Sequence, residues 1–147
     1  MLSYRQMEQY CKLIQVIQGY EGLIDRHDSS LKARSYESIS NHSAIQTHHL
    51  EEVILKKEKA QEKFPRLKKL AEIQRAEVEK TIHAAVADLH KRRIRDEMIL
   101  RSRYLNGHSW AEIATMLGSA DSRLIENRAA QLIRRAIEQN EHENDSA

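Results

Sequence analysis

Apolar residues recur along most of this chain at helical spacing, and no stretch alternates in the manner of a half-buried strand. From about Leu2 to Asp25 one seam runs through Met7, Tyr10, Ile14, Ile17 and Ile24, and a second through Leu13, Val16, Tyr20 and Leu23. Two adjacent seams make a face wider than one partner helix covers, which predicts a bundle, formed within the chain or between copies of it. Gly19 and Gly22 weaken this helix near its end. From Arg26 to His49 the pattern dissolves into a polar, Ser-punctuated stretch, which reads as a linker with Leu31, Tyr36 and Ile39 as its few apolar anchors. Helix returns with Leu50, Val53, Ile54 and Phe64. Pro65 has no amide to donate and clashes with the preceding turn, so a kink or a break is expected there. A further stripe through Leu67, Leu70, Ala71, Val78, Ile82, Ala85, Val86 and Leu89 predicts helix to about Arg92.

The last part of the pattern is the most informative. Residues 98–137 read as two short helices and a longer basic one, separated by glycine punctuation. The first should run from about Ile94 to Leu105, with Ile94, Met98, Ile99, Tyr104 and Leu105 inward. Asn106 and Gly107 tolerate the left-handed conformation that ends a helix. Ser109 and Glu112 then form a capping box, opening a second helix that carries Trp110, Ile113, Ala114 and Leu117 on one face. After Gly118, Asp121 is the expected N-cap of the third helix. There Ile125, Ala129, Leu132, Ile133 and Ala136 share one face, and Arg123, Asn127, Ala130, Gln131 and Arg134 the other. Two short helices held at a fixed angle before a third form the arrangement of a helix-turn-helix.

Composition agrees with an all-α fold: four Gly, one Pro, 5% aromatic and 31% charged residues. The expected organisation is an N-terminal helical, oligomerising region followed by a C-terminal helix-turn-helix domain. Its parts are an amphipathic helix at 1–25, a polar linker at 26–49, a helical region at 50–92 kinked or broken at Pro65, the helix-turn-helix at 93–137, and an acidic disordered tail at 138–147. Net charge is only +2, but its distribution is uneven. Residues 88–137 hold ten Lys/Arg against six Asp/Glu, whereas residues 138–147 hold four acids and no base. A basic helical segment with an acidic, solvating end suits a nucleic-acid face.

The polar face of the third helix has the chemistry for reading bases. Arg pairs bidentately with guanine, Asn and Gln with adenine, and Ala meets a thymine methyl. Arg123, Asn127, Gln131 and Arg134 are therefore the candidate base contacts, with Ser122 at the helix entrance. Arg128 and Arg135, together with Arg101 and Arg103 from the first helix, are candidates for phosphate.

The segment LRSRYLNGHSWAEIATMLG resembles the part of sigma-70 region 4 that precedes the recognition helix. More broadly the chain resembles small phage-encoded, sigma-70 region 4-like transcription regulators of the ArpU/RinA type. The motif covers about 40 residues, and the likeness elsewhere is one of architecture. Sigma-like members enter the recognition helix sooner after the glycine: Ser119-Ala120-Asp121-Ser122 holds one residue more, a spacing also similar to Myb-type repeats. The resemblance implies a sequence-specific regulator of phage or prophage type that binds double-stranded DNA, and whose N-terminal helices self-associate, with a dimer favoured, or touch RNA polymerase. A small terminase subunit marking viral DNA for packaging, or a helical adaptor that binds RNA polymerase or another protein, are the alternatives.

Other chemistry is not expected. Nucleotide-binding, nucleophile-elbow and zincin motifs do not occur in the chain, so neither enzyme activity nor a cofactor is expected. The His residues at 42, 48, 49, 83 and 90 lack convergent partners, so no metal site is expected. Cys11 lies on an apolar helical face and reads as a buried thiol. With one Cys, no run long enough to span a bilayer and no signal-peptide pattern, the expected location is the cytoplasm of a bacterial host, away from membrane.

Overall fold

The computed structural model describes residues 1–37, 44–88 and 91–147, with side chains described for 1–25, 51, 52, 54–88 and 91–147. Among these residues there are five helices and no strand: α1 (Tyr4–Glu37), α2 (Ala44–Val86), α3 (Arg93–Tyr104), α4 (Trp110–Met116) and α5 (Ser122–Asp145). None of them is long and apolar enough to cross a membrane.

The chain divides into two compact units, one of residues 1–15 and 71–147, the other of residues 16–70. In the first, the start of α1 and the end of α2 join α3, α4 and α5. A capping box begins α1: the Ser3 amide donates to Gln6 Oε1 at 2.8 Å, and the Gln6 amide donates to Ser3 Oγ at 3.3 Å. Met7, Tyr10 and Cys11 follow on one buried face. From α2 come Val78, Ile82 and Val86, at the i, i+4, i+8 spacing of a single stripe and each nearly inaccessible. Burying a side chain of this size stabilises by roughly 1.5–3 kcal/mol. Thr81, wholly buried, donates to the Glu77 carbonyl at 2.8 Å and accepts from the Leu2 amide at 2.9 Å, so its hydroxyl is satisfied on both sides.

The second unit holds the later part of α1 and the earlier part of α2. Ile17 and Ala60 are buried, but Val16, Ile54, Leu55 and Leu70 stay exposed, so the apolar seams of this unit are only partly covered.

Three boundaries differ from the sequence reading. Helix occupies most of the expected 26–49 linker, α1 continuing through Glu37 and α2 starting at Ala44. Serines are poor helix formers but do not break a helix that is already propagating. The linker's anchors Leu31, Tyr36 and Ile39, together with Leu50, Val53 and Leu89, lie outside the residues whose side chains are described, as do the histidines at 42, 48, 49 and 90. Second, of the kink or break expected at Pro65, the break does not occur: α2 continues through it. The proline removes the amide that would bond the Gln61 carbonyl; both residues are exposed, so water can take its place. Third, the acidic end expected to be disordered is helical as far as Asp145, since 138–145 contains neither Gly nor Pro to stop α5.

Candidate nucleic-acid interface

The segment 93–145 begins with a helix whose apolar pattern misleads. Asp96, Ile99, Leu100, Arg103 and Tyr104 are buried, at the spacing of one helical face, while Ile94 is 87% exposed and Met98 40%. The reading that put Ile94 and Met98 inward is corrected accordingly. Two charged residues occupy the inner face, each paired there, and this turns the helix away from the phase its apolar residues suggest. Asp96 accepts from Arg128 Nη2 of α5 at 2.8 Å. Arg103 donates from Nη2 to Glu8 Oε2 of α1 at 2.7 Å and from Nη1 to the His108 carbonyl at 3.0 Å.

Glu8 is the centre of a larger cluster. Its Oε1 also accepts from the Tyr104 hydroxyl at 2.9 Å. The Arg103 guanidinium lies over the Trp110 ring, 4.6 Å from its centroid, and Tyr104 meets the same ring edge-on at 6.3 Å. Burial is the largest single influence and works against the Arg103 charge, yet the Glu8 hydrogen bond and the fields of Cys11, Glu8 and Tyr104 together outweigh it and the pKa rises. The Tyr104 hydroxyl is driven far above its ordinary range, chiefly by burial and then by Glu8. Burial likewise pushes the Cys11 thiol up, which keeps it protonated at neutral pH.

The turns on either side of α4 are fixed locally. At the end of α3 the amides of Gly107 and His108 donate to the carbonyls of Arg103 and Ser102 at 3.2 and 3.1 Å. This closure requires the positive φ of Gly107 (73°). Gln15 of α1 donates to the Gly107 carbonyl at 3.1 Å. The capping box forms as expected: the Glu112 amide donates to Ser109 Oγ at 3.2 Å, and the Ser109 amide to Glu112 Oε2 at 2.9 Å. That amide, and His108 at 3.2 Å, hold the Glu112 carboxyl below its ordinary pKa. At the end of α4, bonds from Gly118 to Thr115 O (3.1 Å) and from Ser119 to Ala114 O (2.9 Å) make a Schellman closure, with Gly118 at φ 65°. Asp121 then caps α5, accepting from the Arg123 amide at 2.9 Å. The extra residue between Gly118 and Ser122 is therefore taken up before the cap, and the register of α5 is counted from Ser122.

No family model matches the chain, and neither does any curated protein or solved structure.

On α5, Ile125, Ala129, Leu132, Ile133 and Ala136 are buried, as the spacing predicts. Arg123, Asn127, Gln131, Arg134 and Arg135 are all exposed on the opposite side, and Ser122 is half-buried at the first turn. Ala130, assigned to that outer face, is 8% exposed and belongs to the core side. Arg134 carries its guanidinium 5.9 Å from the Tyr4 ring centroid. Arg103 is not on the surface. With its side chain 11% exposed and its donors committed to Glu8 and His108, it is a structural residue, and its place among the phosphate contacts is corrected. Arg128 is tied to Asp96, a bond that raises its pKa, and Arg101 bonds Glu97 at 2.9 Å within α3. Nothing in sequence separates Arg103 and Arg128 from Arg134 or Arg135. The absence of an acid four residues away would have told Arg95 from Arg101, but the long-range partners Glu8 and Asp96 carry no local signal.

Proposed function

We propose that α3, α4 and α5 form a helix-turn-helix that binds double-stranded DNA, with α5 as the recognition helix of a transcription regulator of the phage type. One observation carries this reading. Asn127 and Gln131 sit one turn apart at the middle of the exposed α5 face, flanked by Arg123 and Arg134, with a fully apolar face behind them. Such a face offers bidentate donors and acceptors to base edges and cations to phosphate. The two glycine closures and the capping box hold α4 and α5 in a fixed relation, as a helix presented to a groove requires. The partly covered seams of the second unit, through Val16, Ile54, Leu55 and Leu70, are the self-association surface of this reading, and dimers suit paired half-sites.

A second reading has its own support. Ile94, Met98, Met116 and Leu124 are large, apolar and exposed on the same unit. A helical adaptor that held RNA polymerase or another protein would use such side chains. Selection of bound sequences from a random duplex pool separates the two. The DNA reading expects a single enriched motif, and failure to enrich any sequence, with no binding even at low salt, overturns it in favour of a protein partner.

A further inference from the structure

A helix that lies in the major groove has a phosphate backbone on each side of it, because the groove, about 12 Å wide, is only just wider than the helix. The exposed face of α5 must then carry cations on both flanks of Asn127 and Gln131. At 100° per residue, Arg123 and Arg134 fall on one flank. The other flank holds Leu124, Arg128 and Arg135, and Arg128 is spent on Asp96. On this poorer side a cleft of about 190 Å³ opens between the start of α3 and the first turns of α5, lined by Arg92, Arg95, Ser119, Leu124 and Arg128 among others.

Arg92 and Arg95 are both exposed, and neither makes an ion pair among the described residues. Lys91 and Arg93 beside them are exposed too. Four cations in five residues repel one another, and they crowd the positive end of the α3 dipole. Of the nearby acids, Asp96 is taken by Arg128 and Glu97 by Arg101, and Asp88 forms no ion pair with the four among the described residues. The cluster thus weakens the fold locally, unpaired among the described residues, and it opens onto the flank where Arg135 alone of the α5 cations is not bonded to an acid among the described residues.

We infer that Arg92 and Arg95 grip the phosphate backbone along the Leu124 flank of α5, opposite the grip of Arg123 and Arg134, so that the phosphate contacts of α3 come from its first turn and not from Arg101 and Arg103. This inference rests on the DNA reading of α5 and adds a second edge to it. Arg128 is then a positioning residue, whose bond to Asp96 fixes α5 against the start of α3.

The test is binding of the full chain to short mixed-sequence duplex DNA, followed by fluorescence anisotropy over a series of salt concentrations. Each phosphate contact contributes about 0.9 to the slope of log affinity against log salt, so Arg92→Ala/Arg95→Ala should lower the slope by about 1.8. Arg92→Lys/Arg95→Lys should keep most of it, and Arg101→Ala should leave it unchanged. Thermal melts should place the double alanine variant level with the parent or slightly above it, since two of the four mutually repelling cations are gone, and the other two variants level with the parent, since these side chains are exposed. Parental binding with an unaltered slope in the double alanine variant overturns the inference alone. No parental binding at low salt overturns the DNA reading, and the inference with it.

Discussion

Glu8 accepts hydrogen bonds from Arg103 and Tyr104, two of the least accessible polar side chains in the unit built on α3–α5. Removing its carboxylate strands the Arg103 charge where water scarcely reaches. Glu8→Ala should therefore cost about 3 kcal/mol in urea unfolding, the range for breaking one side of a buried pair. A loss under about 0.5 kcal/mol, the level of a surface pair, would show that the cluster is not a structural centre. Tyr4 makes a second test at this scale. It donates to Glu126 at 3.3 Å, and burial, then Glu8 and Glu126, push its hydroxyl from 10.0 up to about 12. A folded pKa above the unfolded one lends stability that is whole below pH 10 and is lost as pH rises through about 12. Thermal melts from neutral to strongly alkaline pH should show a shallower decline for Tyr4→Phe; Tyr104, shifted the same way, keeps part of it. Identical declines would contradict the assignment. Pairings of this kind explain why Arg103 could not be distinguished in sequence from a surface arginine: its partner lies 95 residues away.

Two glycines give predictions of opposite sign at the level of the element. Gly19 lies inside α1, and a Cβ there meets nothing within 4 Å. Gly19→Ala should raise stability by about 0.5–1 kcal/mol by restricting the unfolded chain and favouring helix. Gly118 has equal room, but its φ of 65° is strained for any residue with a Cβ. Gly118→Ala should lower stability by about 1–2 kcal/mol. Calorimetric melts of the two variants should move in opposite directions; a common direction would refute the account of the α4 closure. The closures around α4 were legible in sequence because they depend on residue type at fixed spacing: Ser109 with Glu112, Gly118, Asp121. The long helices were less so. Pro65 and the serines of 26–37 raise the cost of helix without forbidding it, and neighbouring turns decided the outcome. The Ser3–Gln6 box was readable by the same rule as Ser109–Glu112 and marks where α1 begins.

In the whole molecule, the first fifteen residues belong with the C-terminal helices and not with the rest of α1. Met7 and Cys11 are wholly buried there, and Glu8 and Gln15 bond the turn region of α3–α4. The sequence reading separated an N-terminal region from a C-terminal domain because nothing in periodicity tells which distant helix an apolar face meets. On the outer face of α5 the exposure of Arg123, Asn127, Gln131 and Arg134 was legible, since it follows from counting along one helix, whereas the burial of Ala130, the exposure of Leu124 and the bond of Arg128 to Asp96 were not. Specific affinity measured side by side for the parent chain and Asn127→Ala/Gln131→Ala, on the duplex selected from the random pool and on a scrambled duplex, tests the central claim most directly. The parent should prefer the selected duplex, the variant should lose that preference by about 1–3 kcal/mol per base contact removed, and its salt-dependent binding to the scrambled duplex should survive. An unchanged preference in the variant would contradict the assignment of α5 as the helix that reads DNA.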